Sequence, residues 1–325
     1  MREESAGDDS TDLDGVSVER AADIVGDEEG EPGELRETLA IVACDGVVRR
    51  AAVDDAVADA SLVVTTAETR AELAAGKLEG AREAAAPVSD LELVAARVDD
   101  FDARLDAVED RAADLGRAVQ EVLAMKEDGD LYEIARRVRR VTNAASEVQR
   151  AADDLQFELD SFEEWLADAD RRVEELAADV DMLAESVDEL DGISEALAGE
   201  NAAETPASDD ADPGGEAART WAAAGVRHRV ASLMIADLRS ELAALQTWAE
   251  RECGTPPSHV GARLDEVQAR HEAVGEQLTE RAEPEWTARF GDRLAAVEEA
   301  LGAMEPPVAW GDVEAVVEER GPAVE

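Results

Sequence analysis

"RVEELAADVDMLAESVDELDGISEAL" (Arg172–Leu197) sets Val173, Leu176, Val180, Leu183, Val187 and Leu190 at alternating steps of three and four residues. That spacing stacks the six side chains on one face of an α-helix and gives it an apolar seam to bury. Traced upstream, the same frame holds without a slip to Leu131. It comprises twenty core positions, nineteen of them apolar, with Ser194 the exception. At 45% apolar composition about nine would be expected by chance. A second run of the same kind, from Leu91 through Phe101, Leu105 and Leu115 to Val122, lies just before it and in a different frame. "KEDGD" (126–130) separates the two.

A short connection containing Gly129, with a change of frame across it, is what an antiparallel helical hairpin requires. The tether also holds the second helix at about millimolar effective concentration beside the first. A parallel homodimer is the rival. It would set Arg137 against Thr142, Ala151 against Gln156 and Glu158 against Glu163, matching no opposite charges and creating one like pair. The hairpin is therefore expected, with a homo-oligomer left open. Its second helix outruns the first, so the Ala-rich helix over 66–86 is expected to extend the first arm beyond Pro87, giving a rod of about 90–100 Å. The alternative is a compact three-helix bundle. Thr65 with Glu68, and Ser89 with Glu92, have capping-box spacing and are read as two helix starts.

The fold class expected is all-α, and five segments follow. Residues 1–15 are acidic and poor in large apolar groups, and read as a disordered tail. Residues 16–64 read as a small helical unit, with "CDGVVRR" a turn around Gly46. The hairpin occupies 65–199, turning near 127–130. Residues 200–216 read as an acidic flexible linker. Residues 217–325 form a C-terminal helical bundle holding four of the five Trp.

The 325 residues carry 80 acids against 31 bases, a formal charge of −49. The acids are spread along the chain, and Lys occurs only at Lys77 and Lys126. Such a charge opposes compaction at low ionic strength, whereas at molar salt the screening length falls to about 3 Å. This is the composition of a halophile's protein. A winged-helix reading of the N-terminal unit fails for want of a cationic face, so no nucleic-acid partner is expected. Cys44 and Cys253 are far apart and in no metal or redox spacing. The opening "MREESAGDDS" lacks a signal peptide's positive and apolar regions, and no stretch reaches membrane-span length, so a cytoplasmic protein without membrane insertion is expected.

Nothing in the chain has the spacing of a catalytic, cofactor or metal motif. His228 and His271 fall in the core frames of neighbouring helices and read as a half-buried pair at a bundle interface. A buried convergence of ionisable groups in the C-terminal domain is what an enzymatic reading would need. The one local charge anomaly is "YEIARRVRRVTN" (132–143), where Arg136, Arg137, Arg139 and Arg140 follow the hairpin turn. They are either a docking point for an anionic partner or one half of a solvated face completed by Glu121, Glu127, Asp128 and Glu133.

"LDGVSVERAADIV" (13–25), "DGVVRRAAVDDAVADA" (45–60), "TTAETRAELA" (65–74), "RRVTNAASEVQRAADDLQ" (139–156) and "RFGDRLAAVEEALGAMEPPVAWGDVEA" (289–315) together resemble the haloarchaeal coiled-coil family labelled "halo transducer protein". The resemblance implies chemotaxis- or phototaxis-like signalling. Unlike transducers proper, the chain shows no membrane helices, no adaptor linker and no methylation helices. The expectation is a non-enzymatic, cofactor-free interaction protein, a scaffold or spacer with a protein partner. The alternative is a cytoplasmic adaptor.

Overall fold

A computed structural model describes residues 12–26, 31–202 and 213–321, and within them the protein is all-α, with ten α-helices and one two-stranded hairpin. The chain divides into two compact units. The first comprises residues up to Ala86 together with Val98–Glu163, and the second comprises Pro87–Arg97 and Glu164 onward. Among the described residues no helix is long and apolar enough to cross a membrane.

The first unit begins with α1 (Val18–Gly26) and α2 (Pro32–Ala40), where Pro32 sits at a helix entry because its missing N–H needs no partner there. β1 (Ala43–Cys44) then pairs antiparallel with β2 (Val47–Val48). Asp45 and Gly46, at φ 52° and 76°, make the turn, since a two-residue hairpin needs positive φ at both central positions. Gly15 N–H donates to Val48 O and Val48 N–H to Val16 O, so the segment before α1 closes onto the hairpin.

α3 (Ala52–Ala85), α4 (Glu92–Met125) and α5 (Leu131–Ala167) follow, with a 3-10 turn at Ala86–Val88. Arg70 pairs with Asp153 at 2.6 Å and Lys77 pairs with Asp160, so α3 and α5 run parallel. Arg104 pairs with Glu158 at 2.6 Å and Phe101 meets Phe162 at 5.4 Å, so α4 runs antiparallel to α5. This is an up-down-up three-helix bundle. α3 lies alongside the hairpin instead of extending its arm, because it carries its own heptad seam of Val53, Val57, Ala60, Val64, Ala67, Ala71, Ala74, Leu78, Ala81 and Ala85, all buried. It also runs straight through Thr65. Thr65 and Glu68 therefore lie inside α3 and start no helix, and the neighbouring Thr66 and Thr69 hydroxyls donate back to Leu62 O and Thr65 O as mid-helix threonines do. The second expected start falls close to α4.

In the second unit, α6 (Ala169–Ala202) packs against α7 (Pro213–Arg251) and α8 (Ser258–Glu280). Arg263 reaches Asp181 at 3.4 Å and Arg270 pairs with Asp188, making α6 and α8 parallel. Arg239 reaches Asp265 at 2.7 Å and Trp221 Nε1 donates to Leu278 O at 2.9 Å, so α7 runs antiparallel to α8 and packs on both helices. α9 (Pro284–Gly302) lies on α7, and α10 (Trp310–Arg320) lies on α9.

The boundaries expected from the sequence are corrected accordingly. Residues 1–11 of the expected tail lie outside the described residues, but Leu13 is only 2% exposed and belongs to the core. Residues 16–64 are no separate unit, because one hydrophobic cluster runs from Leu13 through α3 and α4 to Ala152. The span 65–199 is divided between two units. Its second helix breaks at Asp168, whose Oδ1 accepts from the N–H groups of Asp170 (2.9 Å) and Arg171 (3.3 Å) and starts α6 as an N-cap. The opening seam therefore buries Leu176, Val180, Leu183, Val187 and Leu190 on a helix whose main packing partners are α7 and α8. Of the expected linker, residues 203–212 lie outside the described residues, and its ends belong to α6 and α7.

Candidate functional site: an arginine-flanked groove and a histidine cleft

The four arginines after the hairpin turn have separate tasks. Arg136 and Arg137 converge on Glu133 at 2.7 and 2.8 Å, and Arg137 also reaches Glu121 at 3.5 Å. Partial burial pushes the Glu133 carboxyl up, but hydrogen bonds and charge from Arg137 and Arg136 outweigh this and hold it below its ordinary value. Arg139 turns to the N-terminal elements, donating to Thr38 Oγ1 at 2.8 Å and Glu34 O at 3.2 Å, and so fixes α2 on α5. Arg140 is exposed and has no hydrogen bond or ion pair among the described residues. Among the described residues Glu127 and Asp128 pair with none of the four, and Glu127 reaches Lys126 at 3.8 Å instead.

Beside them lies a groove of about 330 Å³ between α4 and α5. Its floor is Leu115, Ala118, Val141, Ala144 and Val148. Arg111, Arg137 and Arg140 stand along it with Asp114, Glu121 and Glu147. Arg111 Nε donates to Ala107 O at 2.8 Å, and its guanidinium meets no carboxylate among the described residues. Arg111 was not singled out by sequence. It lies on the other helix, 29 positions before Arg140, and only the antiparallel pairing unites them.

In the second unit a cleft of about 760 Å³ opens between α7, α8 and α9. Its wall includes His228, which stacks on His271 with ring centroids 3.9 Å apart and planes 12° from parallel. Burial first, then the neighbouring His271, lowers the pKa of His228. Trp221, Leu278, Leu294 and Met304 supply apolar walls, and Arg229 pairs with Glu298 at 3.0 Å beside them.

A third group escaped sequence reading because carboxylates are everywhere in this chain. Arg97 pairs with Glu175 at 2.7 Å and Glu241 at 3.3 Å, and its guanidinium carbon lies 4.1 Å above the Trp165 ring. Burial drives the Glu241 carboxyl up to about 7 despite Arg97, with Asp179, Glu175 and Asp237 adding repulsion. Asp179 and Asp237 are raised as well, both chiefly by burial. This is the buried convergence of ionisable groups that an enzymatic reading calls for, but its carboxylates line neither cleft. Among the described residues no cluster of His, Cys, Asp and Glu could hold a metal ion.

Comparison with protein-family models, curated proteins and solved structures finds no match for this chain.

Proposed function

We propose that the chain is a non-enzymatic helical interaction protein, a scaffold or spacer of a halophile's cytoplasm. It presents helical surfaces to a protein partner. The observation that carries this reading is the α4/α5 groove, an open apolar floor between two helices with Arg111 and Arg140 uncommitted to any described carboxylate, in a chain with 80 acids. From Arg111 to Glu121 the groove runs about 15 Å at 1.5 Å per residue, close to three turns of helix. Its complement is an amphipathic helix that lays an apolar stripe on the floor and points acids at the two arginines. In molar salt the long-range repulsion between acidic surfaces is screened, and the short-range pairing survives. In the adaptor reading the occupant is a helix from a receptor or kinase coiled coil, which the same floor accommodates.

A photo-crosslinking residue at Ala118, used in native cells, is the test. Adducts should form with a discrete partner, and Arg111→Glu with Arg140→Glu should abolish them while leaving helicity unchanged. Adducts insensitive to the double reversal would remove the groove as the docking site. The identity of the crosslinked protein decides between scaffold and adaptor.

A further inference from the structure

α3 carries two heptad seams, and only one of them is buried. The second comprises Leu62, Thr66, Thr69, Leu73, Gly76 and Gly80, again in alternating steps of four and three, and it holds no charge. Leu62 is 68% exposed and Leu73 is 53% exposed. The two threonine hydroxyls are spent on Leu62 O and Thr65 O, so they ask nothing of solvent. Alongside, α5 exposes Phe157 to 72%. Phe157 lies between Asp153 and Asp160 in sequence as Leu73 lies between Arg70 and Lys77, and the ion pairs Arg70–Asp153 and Lys77–Asp160 set the two apolar residues at one level. An uncharged stripe bearing large exposed apolar groups is anomalous on a surface with a formal charge of −49.

From this face we infer that α3 and α5 are the contact between two copies of the chain. The face is complementary to itself. Between Arg70 and Lys77 on α3 and Asp153 and Asp160 on α5 the paired charges are sorted by helix, while exposed Glu72 and Glu79 on α3 and Arg150 on α5 flank them with the opposite signs. A two-fold axis running along the helices lays α3 of one copy over α5 of the other. Arg70 and Lys77 then oppose Asp153 and Asp160 across the interface, Leu73 opposes Phe157, and each pairing occurs twice. An axis across the helices would stack cation on cation and is disfavoured. Gly76 has open space over it and lets a second backbone approach closely, whereas Gly80 faces the chain's own Glu163. The inference is independent of the α4/α5 groove, which involves other residues.

Sedimentation equilibrium in molar potassium chloride tests it. The wild-type chain should be a dimer at micromolar concentration, and Leu73→Asp with Phe157→Asp should be a monomer of unchanged helicity. Milder Phe157→Ala should weaken association by about 10- to 100-fold. The variants Arg70→Asp/Lys77→Asp and Asp153→Lys/Asp160→Lys should each self-associate poorly, and mixing them should restore a heterodimer, which misfolded variants could not do. A monomeric wild type, or a mixture that gains nothing over its components, overturns the inference.

Discussion

His228 and His271 are bound to each other reciprocally: each ring Nε2 donates to the other residue's backbone carbonyl, at 3.2 and 2.9 Å. A carbonyl only accepts, so both rings carry the proton on Nε2. Room for the stack comes from Gly275, where a Cβ would fall 2.5 Å from His228 Nε2. Gly275→Ala should therefore cost about 1–3 kcal/mol by overpacking, read as a shift in denaturant midpoint.

The same pair sets a pH dependence. The pKa of His228 is lowered in the folded chain by burial and by His271. The unfolded chain therefore takes up a proton at higher pH than the folded one, and the contribution to stability falls as pH drops below the ordinary histidine value. In His228→Gln that slope should be absent. Equal slopes in wild type and variant would show that His228 is not held neutral by its surroundings.

Glu241 runs in the opposite sense. Its carboxyl is raised from 4.5 to about 7, first by burial, so the folded chain binds the proton more tightly than the unfolded one. The stability it lends is complete below the unfolded value and is lost as pH rises through about 7. The groups facing it are Asp237 on its own helix, Glu175 and Asp179 on α6, and Arg97 at the start of α4, so Glu241→Gln should stabilise the protein at alkaline pH by relieving one desolvated charge. Denaturation of wild type and Glu241→Gln across this range should give curves that diverge upward in pH. Parallel curves would mean that Glu241 ionises freely in the fold.

Periodicity made the helices legible, since the 3-4 pattern of large aliphatic residues is a local property of the chain. Nearly every expected position in the Leu91–Val122 and Leu131–Leu166 runs is buried. Which seam covers which was not legible. The partner of Leu176–Leu197 is fixed by α7 and α8, and nothing in its own sequence marks it off from a continuation of α5. Alanine hid the seam of α3, because Ala suits a buried face and an exposed one equally. In sequence the Asp45–Gly46 hairpin shows only as a bare turn, because its strands are two residues long and give no alternation to detect. At the candidate site the arginine cluster was visible as a charge anomaly. Arg111 and the Arg97 carboxylates were invisible, because their meaning depends on burial and on helices brought from elsewhere in the chain.

Arg50 spans the α4/α5 turn, donating from Nη1 to Lys126 O at 3.0 Å and from Nη2 to Gly129 O at 2.9 Å. Gly129 in turn donates to Met125 O, and a Cβ there would lie 2.6 Å from that oxygen. Arg50→Ala should cost about 2–3 kcal/mol through the lost charge-assisted bonds, and Gly129→Ala a similar amount through the clash. Both should raise hydrogen exchange at the turn first. Protection that stays at wild-type level in Arg50→Ala would show that the turn closes without it.

Arg172 holds the break between α5 and α6. It is 3% exposed, donates to Leu166 O at 2.8 Å, pairs with Glu252 at 2.7 Å and stacks 3.7 Å from the Trp248 ring. Glu252 also accepts from Trp248 Nε1 at 2.8 Å, so one carboxylate fixes both members of the stack. Trp248 meets Trp165 edge-on at 5.5 Å. Arg172→Ala removes the cap on the α5 carbonyls, the stacked cation and the ion pair together, and should cost about 3 kcal/mol with a change in tryptophan emission. Arg172→Lys keeps the charge but neither the planar stack nor the forked donors, so it should fall between wild type and alanine. If lysine matches the wild type in both stability and emission, charge alone secures the break and the stacking contributes nothing.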